Sequence, residues 1–277
     1  MNQIRTCPVC MHHCRLAPGQ LGRCRARKNE QGRIVSVNYG KVTALALDPI
    51  EKKPLRQFYP GSKILSVGSF GCNLSCPFCQ NHEISMHGEQ AADHVEMTPL
   101  QLADLAEEMQ KRGNIGVAYT YNEPLIGHEF VRDCAAIVHA RGMKNVVITN
   151  GSVQLEILEA LLPDIDAMNI DLKGFTAAHY QRLGGDLHIV QEFIARATRS
   201  THVEVTTLIV PGENDTEEEM AAEAEWLASI DPQIPLHVTR FFPHYRMKER
   251  AATDIALIYR LREVASAYLP HVYVGNC

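Results

Sequence analysis

The sequence predicts an α/β protein: a partial (β/α)6 barrel of parallel strands with helices outside, preceded by a small cysteine-rich metal-binding module. Three observations carry this reading. From residue 63 onward, short β-branched runs alternate with amphipathic stretches six times in succession. No G-x-G-x-x-G fingerprint follows any of those runs, so a barrel fits better than a doubly wound dinucleotide-binding sheet. Cys7, Cys10, Cys14 and Cys24 crowd into the start of the chain, which reads differently from the rest.

The implied division is 1–62, a cysteine-bound module with a connecting segment, and 63–277, the barrel. Within the first part, 34–37 is β-like, and the connecting segment runs through Asp48 and Leu55 to Pro60-Gly61. A short apolar strand at 64–67 opens the barrel and leads into a cysteine loop. Thr98-Pro99 reads as an N-cap with proline at the first helical position; its helix runs to about Arg112 and stops at Gly113. Strand 115–119 precedes helix 126–140, with Gly142 beyond it. Strand 145–148 precedes helix 153–162, which Pro163 stops. After strand 165–170, residues 176–200 hold one or two helices split at Gly184-Gly185. Strand 203–210 with helix 215–229, and strand 236–239 with helix 255–268, complete the six units, and 272–274 is a final short strand. In such barrels the chemistry sits where the strands end, and the polar motifs of this sequence fall there.

A net charge of −5 argues against nucleic acid as the main partner, because a phosphate-tracking surface shows a basic excess. The local run Arg23, Arg25, Arg27, Lys28 reads as a solvated face. No apolar run is long enough to span a bilayer, and residues 1–5 carry no apolar signal core. A cytoplasmic protein with no membrane partner is expected. There, nine cysteines point to metal or cluster ligation rather than disulfides. An oxygen-sensitive cluster would imply an anaerobic or microaerobic setting.

Cys72, Cys76 and Cys79 stand in C-x3-C-x2-C spacing, with no further cysteine until Cys134. A [4Fe-4S] cluster normally takes four thiolates, one per iron; three leave one iron open to a ligand. A structural zinc loop is the alternative, but zinc ligands come as two separated pairs, and no partner pair lies nearby. Cys7, Cys10, Cys14 and Cys24 form a second soft-ligand set, spaced C-x2-C-x3-C-x9-C, with His12 and His13 inside it. That set suits either a structural zinc, which has a slight edge, or an auxiliary [4Fe-4S] cluster. Cys134 is expected as a buried core thiol and Cys277 as a free one.

The triplet, with Phe78 just before its last cysteine, resembles the radical S-adenosylmethionine (SAM) superfamily, in which the open iron chelates the amino and carboxylate groups of SAM. The resemblance implies SAM-binding roles at the strand ends. Tyr121-Asn122-Glu123-Pro124 stands where the family has a G-G-E-P-like stretch that meets the SAM ammonium; Tyr121-Asn122 replaces the two glycines, and Asn122 and Glu123 become candidates. Thr149-Asn150-Gly151 and Asp171-Leu172-Lys173 are similar to the T-N-G and D-L-K motifs of glycyl-radical-enzyme activases, typified by pyruvate formate-lyase activating enzyme. There the lysine lies by the SAM carboxylate, and the aspartate helps hold a cation or SAM. Ile148 departs from the aspartate that activases commonly place before T-N-G. Thr206 and Leu208, on the stretch ending Val210-Pro211-Gly212, are implied along the adenosine, and Tyr245, with His244 beside it, near the adenine.

Over nearly its whole length the chain resembles the radical SAM protein of the AmmeMemoRadiSam system. The likeness rests on the Cys7–Cys24 module, DPIEKKPL at 48–55, FYPG at 58–61 and GCNLSCPFCQN at 71–81. It continues through AYTYNEP, VITNG, NIDLKGF, VEVTTLIVPGEND and HVTRFFPHYRM. Members of that group often carry a further cysteine-rich segment after a VYVGN-like strand, where this sequence ends. The implied chemistry is reductive cleavage of SAM, with an electron from flavodoxin or ferredoxin, and hydrogen abstraction by a 5′-deoxyadenosyl radical. The implied target is a glycine of a protein partner; a small molecule or another protein, including the other proteins of the system, stands close behind. The rival of another class is a non-enzymatic iron–sulfur or zinc scaffold that carries electrons or binds a partner through 1–62.

Overall fold

The alternation of β-branched and amphipathic stretches builds one eight-stranded sheet in the computed structural model, which describes residues 3–277. The reading of residues 1–5 as lacking a signal core lies partly outside the described residues. The strands are β1 (Ala44–Pro49), β2 (Lys63–Gly68), β3 (Asn114–Tyr119), β4 (Lys144–Thr149), β5 (Ala167–Asp171), β6 (His202–Ile209), β7 (Leu236–Arg240) and β8 (Val272–Gly275). Their order in space is their order in sequence. From β2 to β8 every neighbouring pair is parallel; β1 runs antiparallel to β2. A doubly wound sheet reverses its order at a switch point. This one never reverses, and no ladder joins β1 to β8 among the described residues, so it winds one way as an open partial barrel.

Besides one turn of helix at His82–Ser85, the helices are α1 (Pro99–Met109), α2 (His128–Ala140), α3 (Leu155–Leu161), α4 (Ala177–Leu183), α5 (Leu187–Ala197), α6 (Glu217–Ile230) and α7 (Ile255–Ser266). Thr98 caps α1 with a full capping box: its hydroxyl accepts from Gln101 N at 3.2 Å while Gln101 Oε1 accepts from Thr98 N at 2.8 Å. The helix expected at 126–140 starts later as α2, after a 3-10 turn at Pro124–Gly127 that Glu123 caps by accepting from Leu125 N at 3.0 Å. The break at Gly184-Gly185 separates α4 from α5, giving two helices in the 176–200 region. Outward residues such as Val117, Val147, Ile170 and Val205 pack against Val131, Leu158 and Phe193 of the helices, and Cys134 is fully buried in that core.

The connecting segment does more than connect. It supplies β1, and then enters the barrel. Ile50, Leu55 and Phe58 pack on Ile64 and on Ala118, Val146 and Ala167, which stand side by side in register on β3, β4 and β5. Each such side chain contributes about 1.5–3 kcal/mol of burial. Glu204 fixes the segment by accepting from Arg56 N at 2.9 Å and Gln57 N at 2.8 Å, while His202 and His237 bond the same carboxylate at 3.0 and 2.6 Å. The lower half of the interior is thus filled by the chain itself. Chemistry is left to the upper half, at the strand C-terminal ends.

Ahead of β1 lie two short hairpins, Arg5–Thr6 with Arg15–Leu16 and Arg27–Glu30 with Arg33–Ser36. Arg27 corrects the reading of its run as a solvated face: it is 4% exposed and reaches Glu129 at 2.6 Å and Ile126 O at 3.3 Å. Among the described residues, no helix is long and apolar enough to cross a membrane.

Candidate active site

The cysteine loop follows β2, and its path is set by a glycine. Gly71 has φ +86°, and a Cβ there would meet Cys24 O at 2.4 Å, so no side chain fits where the N-terminal module touches the loop. Asn122 holds the loop from the other side: its Oδ1 accepts from Ser69 N at 3.0 Å, and its Nδ2 donates to Phe70 O at 3.2 Å and Gly71 O at 3.1 Å. Its amide is therefore committed to the loop backbone. Cys72, Cys76 and Cys79 share an apolar wall with Leu74, Phe78, Leu183, Leu208, Val210 and Phe241.

The ends of β3 and β4 are tied to that loop by hydrogen bonds. Buried Glu123 accepts from Thr149 Oγ1 at 2.7 Å and from Asn150 N at 2.8 Å. Burial pushes its pKa up to about 7, against the pull of those bonds. Asn150 Nδ2 donates to Asn73 Oδ1 at 2.9 Å and lies 3.7 Å from Cys72 Sγ. Asn73, fully buried, donates in turn to Ser152 O at 2.8 Å.

At the end of β5, Asp171 and Lys173 pair at 2.9 Å in a largely sheltered position. Burial opposes the Lys173 charge, but Asp171 and the thiols of Cys76 and Cys79 hold its pKa above the ordinary value. Its backbone is pinned: Lys173 N donates to Tyr180 Oη at 3.0 Å, and Asn214 Nδ2 donates to Lys173 O at 3.1 Å. On β6, Thr206 Oγ1 accepts from Asn169 Nδ2 at 2.8 Å, and Leu208 joins the cysteine wall. Tyr245 stacks on His82 with ring centroids 4.4 Å apart, and Arg246 N donates to Pro77 O at 3.0 Å, which brings the end of β7 onto the loop.

All three loop thiols are acidified by nothing strong enough to offset their burial. Cys76 is pushed up to about 12, and Cys72 and Cys79 also rise. Such thiols become thiolates when a metal cation displaces their protons. Among the described residues, no three Cys, His, Asp or Glu side chains stand at metal-binding spacing around one point. What suits the triplet to a [4Fe-4S] cluster is its donor chemistry, its shared pocket wall and the adjacent Lys173 ammonium.

The N-terminal thiols are arranged by a hairpin. Cys7 N donates to Cys14 O at 2.9 Å, and His13 N to Cys10 O at 3.2 Å, which turns the chain between them. A Cβ on Gly22 would lie 3.8 Å from Cys14 Sγ, so the approach to Cys24 passes beside the hairpin. Burial raises the pKa of Cys10 to about 12, and the negative charges of Cys24, Cys7 and Cys14 add to it. Arg27 lowers that of Cys7 against burial, and its Nε is buried without a partner. A guanidinium beside clustered thiols fits a metal site whose ligands carry negative charge. His12 Nε2 bonds Asn73 O at 2.8 Å, next to the other cysteine set, and Gln154 N donates to Val9 O at 3.0 Å. The module is thereby docked on both the cysteine loop and the loop after β4.

A cavity of about 500 Å³ lies at the other end of the sheet, lined by His139, Pro163, Asp166, Thr201 and His202. It has no thiol and faces the N-terminal strand ends, where barrels do not place chemistry. The strand-end cluster, with its thiols and bonded polar groups, is the better candidate. Of the residues the sequence nominated, the structure joins Cys72, Asn122, Glu123, Thr149 and Asn150 in one bonded network, with Asp171 and Lys173 facing Cys76. Sequence reasoning missed Asn73, Asn81, His82, Tyr180 and Asn214. Asn73 and Asn81 lie inside the 71–81 motif and were open to reading; the other three act only through tertiary contacts.

The sequence model of the radical SAM superfamily matches residues 66–227, more than half of the chain. An uncharacterized protein of Methanocaldococcus jannaschii is 38% identical over 99% of this chain and 82% of its own length. The pyruvate formate-lyase 1-activating enzyme of Escherichia coli is 28% identical over 57% of this chain and 65% of its own. Among solved structures, a domain of a pyruvate-formate lyase-activating enzyme from Bacteroides vulgatus matches with a TM-score of 0.51, at 20% identity, over 58% of this chain and 99% of that one. Streptococcus suis SuiB matches with a TM-score of 0.59, at 13% identity, over 76% of this chain and 48% of that one.

Proposed function

Because the chain belongs to the radical SAM superfamily, we propose that it cleaves SAM reductively at a [4Fe-4S] cluster held by Cys72, Cys76 and Cys79. The observation that carries this is the bonded network joining the three-cysteine loop to Glu123, Thr149 and Asn150, with Lys173 beside Cys76. Cys72, Cys76 and Cys79 would hold the cluster, which would supply the electron for reductive cleavage of SAM and so for hydrogen abstraction from a substrate. The chain's own residues bind, orient and exclude. Lys173 offers an ammonium to the SAM carboxylate, and Glu123 an acceptor to its amino group. Asp171 holds Lys173 in place. Thr206, Leu208 and Tyr245 wall the adenosine, Phe78 packs the loop, and Asn122 holds its backbone.

The finer reading is a member of the AmmeMemoRadiSam branch, cytoplasmic, working at low oxygen with flavodoxin or ferredoxin as donor. Its N-terminal four cysteines hold zinc. Two relatives are named for activating pyruvate formate-lyase and 4-hydroxyphenylacetate decarboxylase, which supports a partner enzyme bearing a glycyl radical as target. Tyr121 and Ile148 depart from the activase pattern, and that favours a second reading, a small-molecule substrate. The test is anaerobic reconstitution with iron and sulfide, then dithionite and SAM. Equal amounts of 5′-deoxyadenosine and methionine are expected; a fully loaded cluster that yields neither overturns the proposal.

A further inference from the structure

Tyr121 occupies the first of the two positions where the family has glycine, and the backbone keeps the glycine conformation. Its φ is +72°, a left-handed geometry that a bulky residue rarely adopts and that costs roughly 1–2 kcal/mol. Glycine would avoid that cost, so the ring has to be accounted for. Gly68 makes room for it: a Cβ there would meet Tyr121 Cδ2 at 2.8 Å. The ring turns into the barrel, where Tyr121 Oη donates to Asp48 Oδ2 at 2.8 Å. Lys53 donates to the same oxygen at 2.8 Å and lies 4.6 Å from the ring centroid. Tyr121 O meanwhile accepts from Asn81 Nδ2 at 2.8 Å, two residues past Cys79. One residue therefore joins the cysteine loop to the barrel interior.

That interior layer is polar where stability alone would ask for apolar side chains. Replacing a buried ion pair with packed hydrophobes is often neutral or stabilising. Lys53 is only 4% exposed, Ser66 0% and Asn169 1%. Asn169 Oδ1 is buried with no hydrogen-bond partner, and Ser66 Oγ, also buried, stands beside Asp48 and Tyr121 without a well-formed hydrogen bond to either. Burial opposes the Asp48 charge, but Lys53 and Tyr121 hold its pKa down to about 2, so the pair is ionic. Lys52 adds a second ammonium 3.6 Å from Asp48. Along β5, Asn169 lies two residues below Asp171, about 7 Å down the strand from the proposed SAM cradle.

We propose that Lys53, Ser66, Tyr121 and Asn169 form the substrate site, and that it takes a small carboxylic acid carrying a second hydrogen-bond donor. The proposal rests on the SAM-cleavage reading. Lys53 keeps ammonium protons beyond the one on Asp48, and with the Ser66 hydroxyl it offers donors to a carboxylate. Asn169 Oδ1 accepts from an amine or hydroxyl elsewhere on the same molecule. The plug at 50–58 packs on Ala118, Val146 and Ala167, the row in register with Ser66, and so closes this layer to a protein loop from below, which points to a small molecule. In the reaction, a substrate C–H bond breaks homolytically and its hydrogen bonds to C5′. The substrate radical remains, and the electron that cleaved SAM comes from the reduced cluster.

The experiment uses the cluster-loaded full chain with SAM and dithionite. It adds extracts of cells grown in deuterium oxide, split into low-mass anionic, low-mass neutral or cationic, and protein fractions. The readout is the deuterated share of the 5′-deoxyadenosine formed. Label from the low-mass anionic fraction, falling at least tenfold in Lys53→Met and in the charge-neutral Lys53→Met/Asp48→Asn pair, is expected. Label from another fraction alone, no label although 5′-deoxyadenosine forms, or equal label in the variants overturns the proposal. Absence of any 5′-deoxyadenosine in the wild type sinks the SAM-cleavage reading instead. Thermal melts of both variants within a few degrees of wild type are expected; a folded double variant that retains full label counts against the site.

Discussion

Cys72, Cys76 and Cys79 lie at the strand ends, against Asn150, Glu123 and Lys173. Cys7, Cys10, Cys14 and Cys24 lie in hairpins outside the sheet, with Arg27 as the charged group beside Cys7. Burial raises the pKa of Cys7, Cys10 and Cys24 as it does those of Cys72, Cys76 and Cys79, so in both sets a bound cation would be what displaces the protons. The difference is in ligand count and neighbours. Three thiols beside groups that can bind an amino acid would leave an iron of a [4Fe-4S] cluster free for chemistry. Four thiols, docked through His12 on Asn73 and through Cys24 on Gly71, would close a metal and brace the loop next to it.

The largest effect that separates the sets is on Cys76→Ala. SAM cleavage should fall below detection while the N-terminal metal remains, measured by 5′-deoxyadenosine assay and metal analysis; cleavage that survives points to the wrong cysteines. The Cys7→Ala/Cys10→Ala pair should reverse the pattern, losing one zinc per chain. It should also lose at least about 3 kcal/mol of stability, seen as a melting point lower by roughly 6–12 °C. Iron in place of zinc in the purified wild type would make the module a second cluster. Glu123→Gln keeps size but removes the carboxylate that Thr149 and Asn150 bond, and should slow SAM cleavage about 10–100-fold, a loss of about 1.4–2.8 kcal/mol.

Remote from both sets, Glu204 sharpens the comparison by testing the plug. Burial opposes its charge, but His202, His237 and the Arg56 and Gln57 amides bring its pKa from 4.5 down to about 2. The unfolded chain then binds more protons, so this stabilisation is complete above about pH 4.5 and is lost as pH falls toward 2. Glu204→Gln should cost about 3 kcal/mol at pH 7 and flatten the acid limb of stability in that window, measured by urea melts across pH. Smallest is Thr98→Ala, which removes the α1 capping box and should cost about 1 kcal/mol with SAM cleavage unchanged.

Much of this was legible in local sequence. The cysteine spacing, the Thr98-Pro99 start and the Gly184-Gly185 break each depend on neighbours in the chain, and the structure realises the predicted helix start and break. The strand β1 was not legible: Ala44–Pro49 has no β-branched residue, ends in proline and reads as linker, and only pairing with β2 makes it a strand. The inward turn of Lys53 and Asp48 was equally hidden, because it depends on the plug and on Tyr121 more than sixty residues away. Asn122 was nominated for SAM, and the structure shows its amide engaged by Ser69, Phe70 and Gly71, contacts no spacing rule reveals.

On the proposed reading, the triplet leaves one iron for SAM. This is tested most directly by electron–nuclear double resonance on the reduced, cluster-loaded protein with SAM labelled with ¹⁷O in its carboxylate and ¹⁵N in its amino group. Hyperfine coupling to both labels is expected in the wild type and in the Cys7→Ala/Cys10→Ala pair. A reduced cluster that shows coupling to neither label would contradict the account.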